Sequence, residues 1–255
     1  MDYFVIALLG LCIGSFMNVC IFRIPKEESI SFPPSHCTNC NYKLKWRDLI
    51  PVFSYIFLRG KCRNCKSKIS IQYPCIELLN CILYVLIYMQ YGLSIDTLKF
   101  IILSSLMIVI GMIDLKTQYV YLSTIIVGGI AGIIFFAVEW INVGSFPKDK
   151  LIGMLIGVIL IGAIVLLTGG MGVGDIEMVA ISGLFLGIRG SIFTLFASFV
   201  LGGIAGILMV IIKKKGRKES IPFGPYIAIA TIMSIFAGNY IINYYLENLL
   251  NYSIF

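Results

Sequence analysis

Residues 151–187 read LIGMLIGVILIGAIVLLTGGMGVGDIEMVAISGLFLG. The run from Leu151 to Thr168 carries no charge and is long enough to cross most of a hydrocarbon core of roughly 30 Å as a helix. Four glycines follow within Gly169–Gly174 and break it, and an acid, Asp175, opens the next apolar run. A spanning helix, a break and an ionisable group at the next helix start mark a polytopic membrane protein with a functional group near the bilayer.

Comparable apolar stretches lie near 3–22, 73–91, 97–113 and 121–141 before this one, and near 176–188, 191–212 and 221–246 around and after it. The chain has 255 residues, 59% hydrophobic and 13% charged, and its mean hydropathy is +0.95. The expected fold is therefore an all-α polytopic membrane protein with about eight transmembrane helices. The stretch at 176–188 is too short to cross alone. The first stretch reads as a retained helix and not a signal peptide, because Asp2 is its only early charge and no small-residue cleavage site follows.

The basic residues set the orientation. With the N-terminus outside, Arg23, Lys26, Lys43, Lys45, Arg47, Arg59, Lys61, Arg63, Lys66, Lys68, Lys116, Lys213, Lys214, Lys215, Arg217 and Lys218 fall on one side, and only Lys99, Lys148, Lys150 and Arg189 on the other. The first side is read as cytoplasmic, facing the lipid bilayer of the inner membrane. The net charge of +7 is then a signal of topology, with no nucleic acid implied.

Three parts are expected: residues 1–24 as the first transmembrane helix, 25–72 as a cytoplasmic four-cysteine zinc domain, and 73–255 as a transmembrane helical domain. The second part holds two C-x-x-C knuckles, Cys37–Cys40 and Cys62–Cys65. Their spacing fits a closed, structural tetrahedral zinc site that would supply much of the segment's folding free energy. A pair of disulfides is the alternative, disfavoured by a reducing cytoplasm. His36, the only histidine, is read as solvated.

Acids near a bilayer need a reason. Glu77 lies early in the second span, Asp114 ends the third, and Asp175 and Glu177 open the sixth. The deduced topology puts Asp114 and Asp175 at similar depth. Two carboxyls sharing one site hold a proton between them, which is the arrangement of an aspartic protease. One histidine excludes a multi-histidine metal centre, and no G-x-S-x-G elbow is present. The glycines Gly172 and Gly174 allow a substrate backbone to approach Asp175. The patterns Gly128–Gly132, Gly153–Gly157, Gly183–Gly187 and Gly202–Gly206 read as helix-packing faces.

These features together resemble the type IV prepilin peptidases, within the Gly-x-Gly-Asp intramembrane aspartic proteases. The resemblance is carried by Gly14-Ser-Phe-Met-Asn18 with Arg23-Ile-Pro25, by the double knuckle followed by Ile71-Gln-Tyr-Pro74-Cys-Ile-Glu77, and by Gly172-Val-Gly174-Asp175. It implies that Asp114 and Asp175 are the catalytic pair and that Cys37, Cys40, Cys62 and Cys65 hold zinc. It further implies cleavage of basic leaders from prepilin and pseudopilin precursors, with N-methylation of the new terminus by S-adenosylmethionine in many members. The sequence departs from the family in having Glu177 where lysine is usual, and Gln118-Tyr-Val-Tyr-Leu122 where a proline-containing turn often follows the first aspartate. Glu27, Glu28 and Glu177 are expected to attract the basic leader. An ion-coupled transporter would show repeated halves, and a non-catalytic zinc-stapled scaffold would leave Asp114 and Asp175 unexplained.

Overall fold

The computed structural model describes residues 2–212 and 222–248. Lys213, Lys214, Lys215, Arg217 and Lys218, counted above for topology, lie outside the described residues. The helices are α1 (Asp2–Arg23), α2 (Phe53–Phe57), α3 (Gln72–Tyr91), α4 (Ile95–Thr117), α5 (Leu122–Val143), α6 (Lys148–Thr168), α7 (Val173–Ile211), α8 (Gly224–Met233) and α9 (Asn239–Asn248). Among the described residues there is no strand beyond isolated bridges, and six helices are long and apolar enough to cross a membrane. The protein is thus an all-α, multi-pass membrane protein. The expected eight spans are met as these six, one of them broken in two, plus the shorter apolar segment Gly224–Gly238.

The broken one is α7. Its 39 residues would make a rod of about 58 Å at 1.5 Å per residue, nearly twice the hydrocarbon thickness. At Gly187 the backbone leaves the helix (φ 76°, ψ −169°), a left-handed conformation open to glycine. The break frees the Ile188 amide, and Asp149, in the first turn of α6, accepts it through Oδ1 at 3.1 Å. The halves on either side are the stretches 176–188 and 191–212.

The chain divides into two compact units, residues 1–101 and 102–255. In the first, α1 lies on α3 with almost no side chain between them. A Cβ on Gly10 would meet the Cys81 Cα at 2.8 Å, and one on Gly14 the Glu77 Cα at 2.7 Å. Asn80 donates to the Gly10 carbonyl (2.8 Å) and Asn18 to the Tyr73 carbonyl (3.1 Å), so polar side chains close the same seam. Arg23 is buried at the end of α1 and donates to the carbonyls of Ser29 (2.8 Å) and Pro33 (2.6 Å), folding back the chain that leads to the knuckles.

In the second unit α7 is the centre, with α6, α5 and α8 against it. Gly153 approaches the Gly187 backbone, Gly183 the Gly153 carbonyl, and Gly157 the Val179 side chain. Gly128 faces Leu106 and Ile181, Gly132 faces Leu184 and Phe185, and Gly202 faces Phe223. Gly128, Gly132, Gly153, Gly157, Gly183 and Gly202 therefore lie at helix contacts, as expected of the small-residue patterns. Ser182 ties α7 to α8 through Thr231 (2.8 Å), and Phe193, Ala197, Ala230 and Ile242 pack α7, α8 and α9 together.

Candidate active site and metal centre

The GxGD stretch forms the start of α7. Gly172 precedes the helix, and Asp175 sits in its first turn with its own amide on the Gly172 carbonyl (3.1 Å). Its carboxylate reaches back and accepts the Gly172 amide on Oδ2 at 3.1 Å, half of a capping box. The motif thus places a carboxylate against the positive end of a helix.

Asp114 reaches a matching environment from elsewhere. It lies in the last turns of α4, and its Oδ2 accepts the amide of Gly224 at 3.0 Å, in the first turn of α8. Gly111, one turn earlier, meets Ala228 and Pro225, so glycine on α4 lets α8 come close enough for this bond. Asp114 and Asp175 are 5% and 6% exposed. Each uses one oxygen on an amide; the second oxygen of each has no partner among the described residues.

Two further residues belong here. A Cβ on Gly224 would stand 2.6 Å from Asp114 Oδ2 and 3.1 Å from the Met178 sulfur, and Met178 is one turn beyond Asp175 and fully buried. The sequence reading missed both. Gly224-Pro225 carries a signal, since proline in the first turn marks a helix start. The segment without proline after Asp114 has a defined course: Gln118 turns left-handed (φ 56°), and Val120 lies over Gly174, where a Cβ would come within 2.5 Å of the Val120 Cβ. Glu177 is half-buried, two residues from Asp175 and so on another face of α7. Glu27 and Glu28 are exposed in the first unit, beyond the end of α1.

The four predicted metal ligands come together. The sulfurs of Cys37, Cys40, Cys62 and Cys65 all lie within 4.8 Å of one another, and all eight cysteines are free. Tetrahedral zinc with bonds of about 2.3 Å needs sulfurs about 3.8 Å apart. Cys37–Cys65 is 3.8 Å and Cys40–Cys62 is 4.0 Å, so the donor set fits. The two knuckles repeat each other: the Cys37 amide bonds to Tyr42 O and the Cys62 amide to Ser67 O, with Asn41 and Lys66 both left-handed. Each also supports the other, because Asn39 donates to Cys65 (3.6 Å) and Asn64 to Cys40 (3.7 Å). The Ser67 hydroxyl, 3.1 Å from Cys65, together with its amide pushes that thiol down to about 5.

Fold and site define a polytopic membrane protein with two buried carboxylates at helix termini and a cluster of four cysteines whose geometry fits a metal ion. Residues 8–91 match the bacterial peptidase A24 N-terminal domain, and residues 101–207 the type IV leader peptidase family. The prepilin leader peptidase/N-methyltransferase of Neisseria gonorrhoeae is 35% identical over 88% of this chain and 86% of its own. That of Aeromonas hydrophila is 31% identical over 95% and 93%, and that of Bacillus subtilis strain 168 is 29% identical over 95% and 97%. No solved structure matches. The chain belongs to the type IV leader peptidase family.

Proposed function

We propose that this protein is a membrane aspartic endopeptidase that removes the basic leader from type IV prepilins and pseudopilins, with Asp114 and Asp175 as the catalytic pair. One observation carries the assignment of the pair: two buried carboxylates from distant parts of the chain, each with one oxygen fixed by an amide at a helix start and the other without a partner among the described residues. Sharing one proton, the ionised partner draws a proton from water as it attacks the scissile carbonyl. The protonated partner donates to the carbonyl oxygen and then to the leaving amine. Gly172, where a Cβ would meet nothing closer than the Asp175 carboxylate at 3.8 Å, leaves room for a substrate backbone beside Asp175, whereas the space at Gly174 is filled by Val120.

The excess of lysine and arginine supports an inner-membrane placement with the N-terminus outside and the knuckles and aspartates at the cytoplasmic face. A precursor standing in the membrane with its leader in the cytoplasm then presents its cut site at the depth of Asp114 and Asp175. Cys37, Cys40, Cys62 and Cys65 hold zinc as a structural staple of the 25–72 module, and residues 73–255 form the peptidase portion. Glu27, Glu28 and Glu177 attract the leader; neutralising all three raises the substrate concentration needed for half-maximal cleavage. The relatives are named N-methyltransferases as well; the reading that goes with this is N-methylation of the new terminus with S-adenosylmethionine as donor, a step assigned to no residue of this chain.

The test is cleavage, in reconstituted membranes, of a precursor with a basic leader ending in glycine. Asp114→Asn and Asp175→Asn should each lose about 10²–10⁴-fold in rate, the range for removal of an acid–base group, while accumulating and holding metal as the wild type does. Cleavage retained in either variant removes that residue from the pair.

A further inference from the structure

Residues 24–71 join the end of α1 to the start of α3, two helices long and apolar enough to cross a membrane, so the segment is tethered to the bilayer at both ends. A small polar module ordinarily turns its few large apolar side chains inward. Here Trp46 is 78% and Phe57 82% exposed, and Phe53 and Ile56 are exposed as well. Phe53, Ile56 and Phe57 stand at i, i+3 and i+4 of α2 and share one face. The 3-10 turn Trp46–Asp48, which carries the exposed Trp46, packs against α2.

The charge around this patch has one sign. Lys43, Lys45, Arg47, Arg59 and Lys61 are exposed. The sole acid between Lys43 and Lys68 is Asp48, which is buried and bound to Arg63 Nε at 2.6 Å. Position is fixed by a third observation. The amide of Val52, the residue before α2, donates to Glu77 Oε2 at 2.7 Å, and Glu77 is buried five residues into the span α3. Val52 holds a left-handed φ of 62°, costly for a β-branched residue, to aim that amide. At 1.5 Å per residue, α2 therefore begins about 7 Å along α3 from its first residue, beside the first turns of that span.

We propose that α2 and Trp46 form an interfacial anchor, with Phe53, Ile56, Phe57 and Trp46 at the acyl-chain boundary and the flanking cations among the headgroups of anionic lipid in the same membrane. The bilayer is favoured over a separate partner because the segment is tethered to it at both ends, and because the patch combines aromatic and cationic groups as an interface requires. The inference stands apart from the peptidase reading.

The test uses the full chain carrying Trp140→Phe, which leaves Trp46 as the one tryptophan. The protein is reconstituted into phosphatidylglycerol-rich vesicles and into phosphatidylcholine vesicles, each with lipid brominated near the headgroup end of the acyl chain. Trp46 emission should be quenched several-fold more by brominated lipid than by aqueous iodide, and more strongly in the anionic vesicles. Adding Phe53→Ser and Phe57→Ser should reverse the preference toward iodide with metal content unchanged; Arg47→Glu with Arg59→Glu, both at exposed sites, should abolish the difference between lipids. Iodide access in the parent protein, shielding from both quenchers, or equal quenching in the two lipids overturns the proposal. So does a signal that arises only with added precursor, or only at high protein density, which would assign the face to the substrate or to a second copy.

Discussion

At the scale of single residues, the site depends on glycines that let backbone approach carboxylate. Gly224→Ala puts a methyl group 2.6 Å from Asp114 Oδ2 while that oxygen is bound to the same residue's amide, so the carboxylate must move. A displacement of this kind costs about 10²-fold in rate. Cleavage assays should show that loss with membrane accumulation and metal content unchanged, and wild-type rates would remove Gly224 from the site. Gly174→Ala meets Val120 at its Cβ, so Val120→Ala gives no relief whereas Val120→Gly should restore much of the activity. An additive loss in the Gly174→Ala, Val120→Gly pair would count against this contact. Asp175 was legible in the sequence because its partner amide is three residues away within a glycine motif. Gly224 and Met178 were not, because Gly224 meets Asp114 across 110 residues and Met178 across 46, and nothing local reports such meetings.

At the scale of elements, hydropathy located the spanning helices because each must be apolar along its length, whatever it packs on. The break in α7 fell between two stretches read as separate, and the group that receives its freed amide lies off the helix, in the Asp149 carboxylate. Asp149→Ala leaves the Ile188 amide unpaired and should cost about 1 kcal/mol, like the loss of a helix cap. Gly187→Ala should cost more, since it forces a left-handed alanine and drives its Cβ into Asp149. Thermal unfolding in detergent should show the double variant less unstable than the sum of the singles, because removing Asp149 removes the clash. The one-turn α2 was invisible beforehand: five residues give too little periodicity, and the bond that fixes Val52 comes from α3.

At the scale of the whole chain, the segment between α1 and α3 lacks a sizeable core, so its order depends on the four thiolates. Cys37→Ser should release metal and open residues 35–68 to protease while leaving the α1–α3 seam intact, since Gly10, Gly14 and Asn80 hold that seam independently. The same cluster sets a pH dependence. Cys65 lies below the ordinary 9.0, near 5, chiefly through the Ser67 hydroxyl; the stabilisation is complete above about 9 and is lost as pH falls through about 5. Ser67→Ala should therefore shed metal at a higher pH than the wild type in a chelator-coupled titration. An unshifted titration would show that Ser67 does not tune the cluster.

The reciprocal bonds Asn39 to Cys65 and Asn64 to Cys40 make each knuckle incomplete without the other. During synthesis Cys40 emerges 22 residues ahead of Cys62, a lag of about 1–4 s at 5–20 residues per second. Through that interval the first pair of thiols is an unfinished site, open to the wrong metal or to oxidation. The set of four is complete only when Cys65 and Ser67 have left the ribosome, so the proposed zinc would be locked in as a single late event that coincides with the arrival of α3.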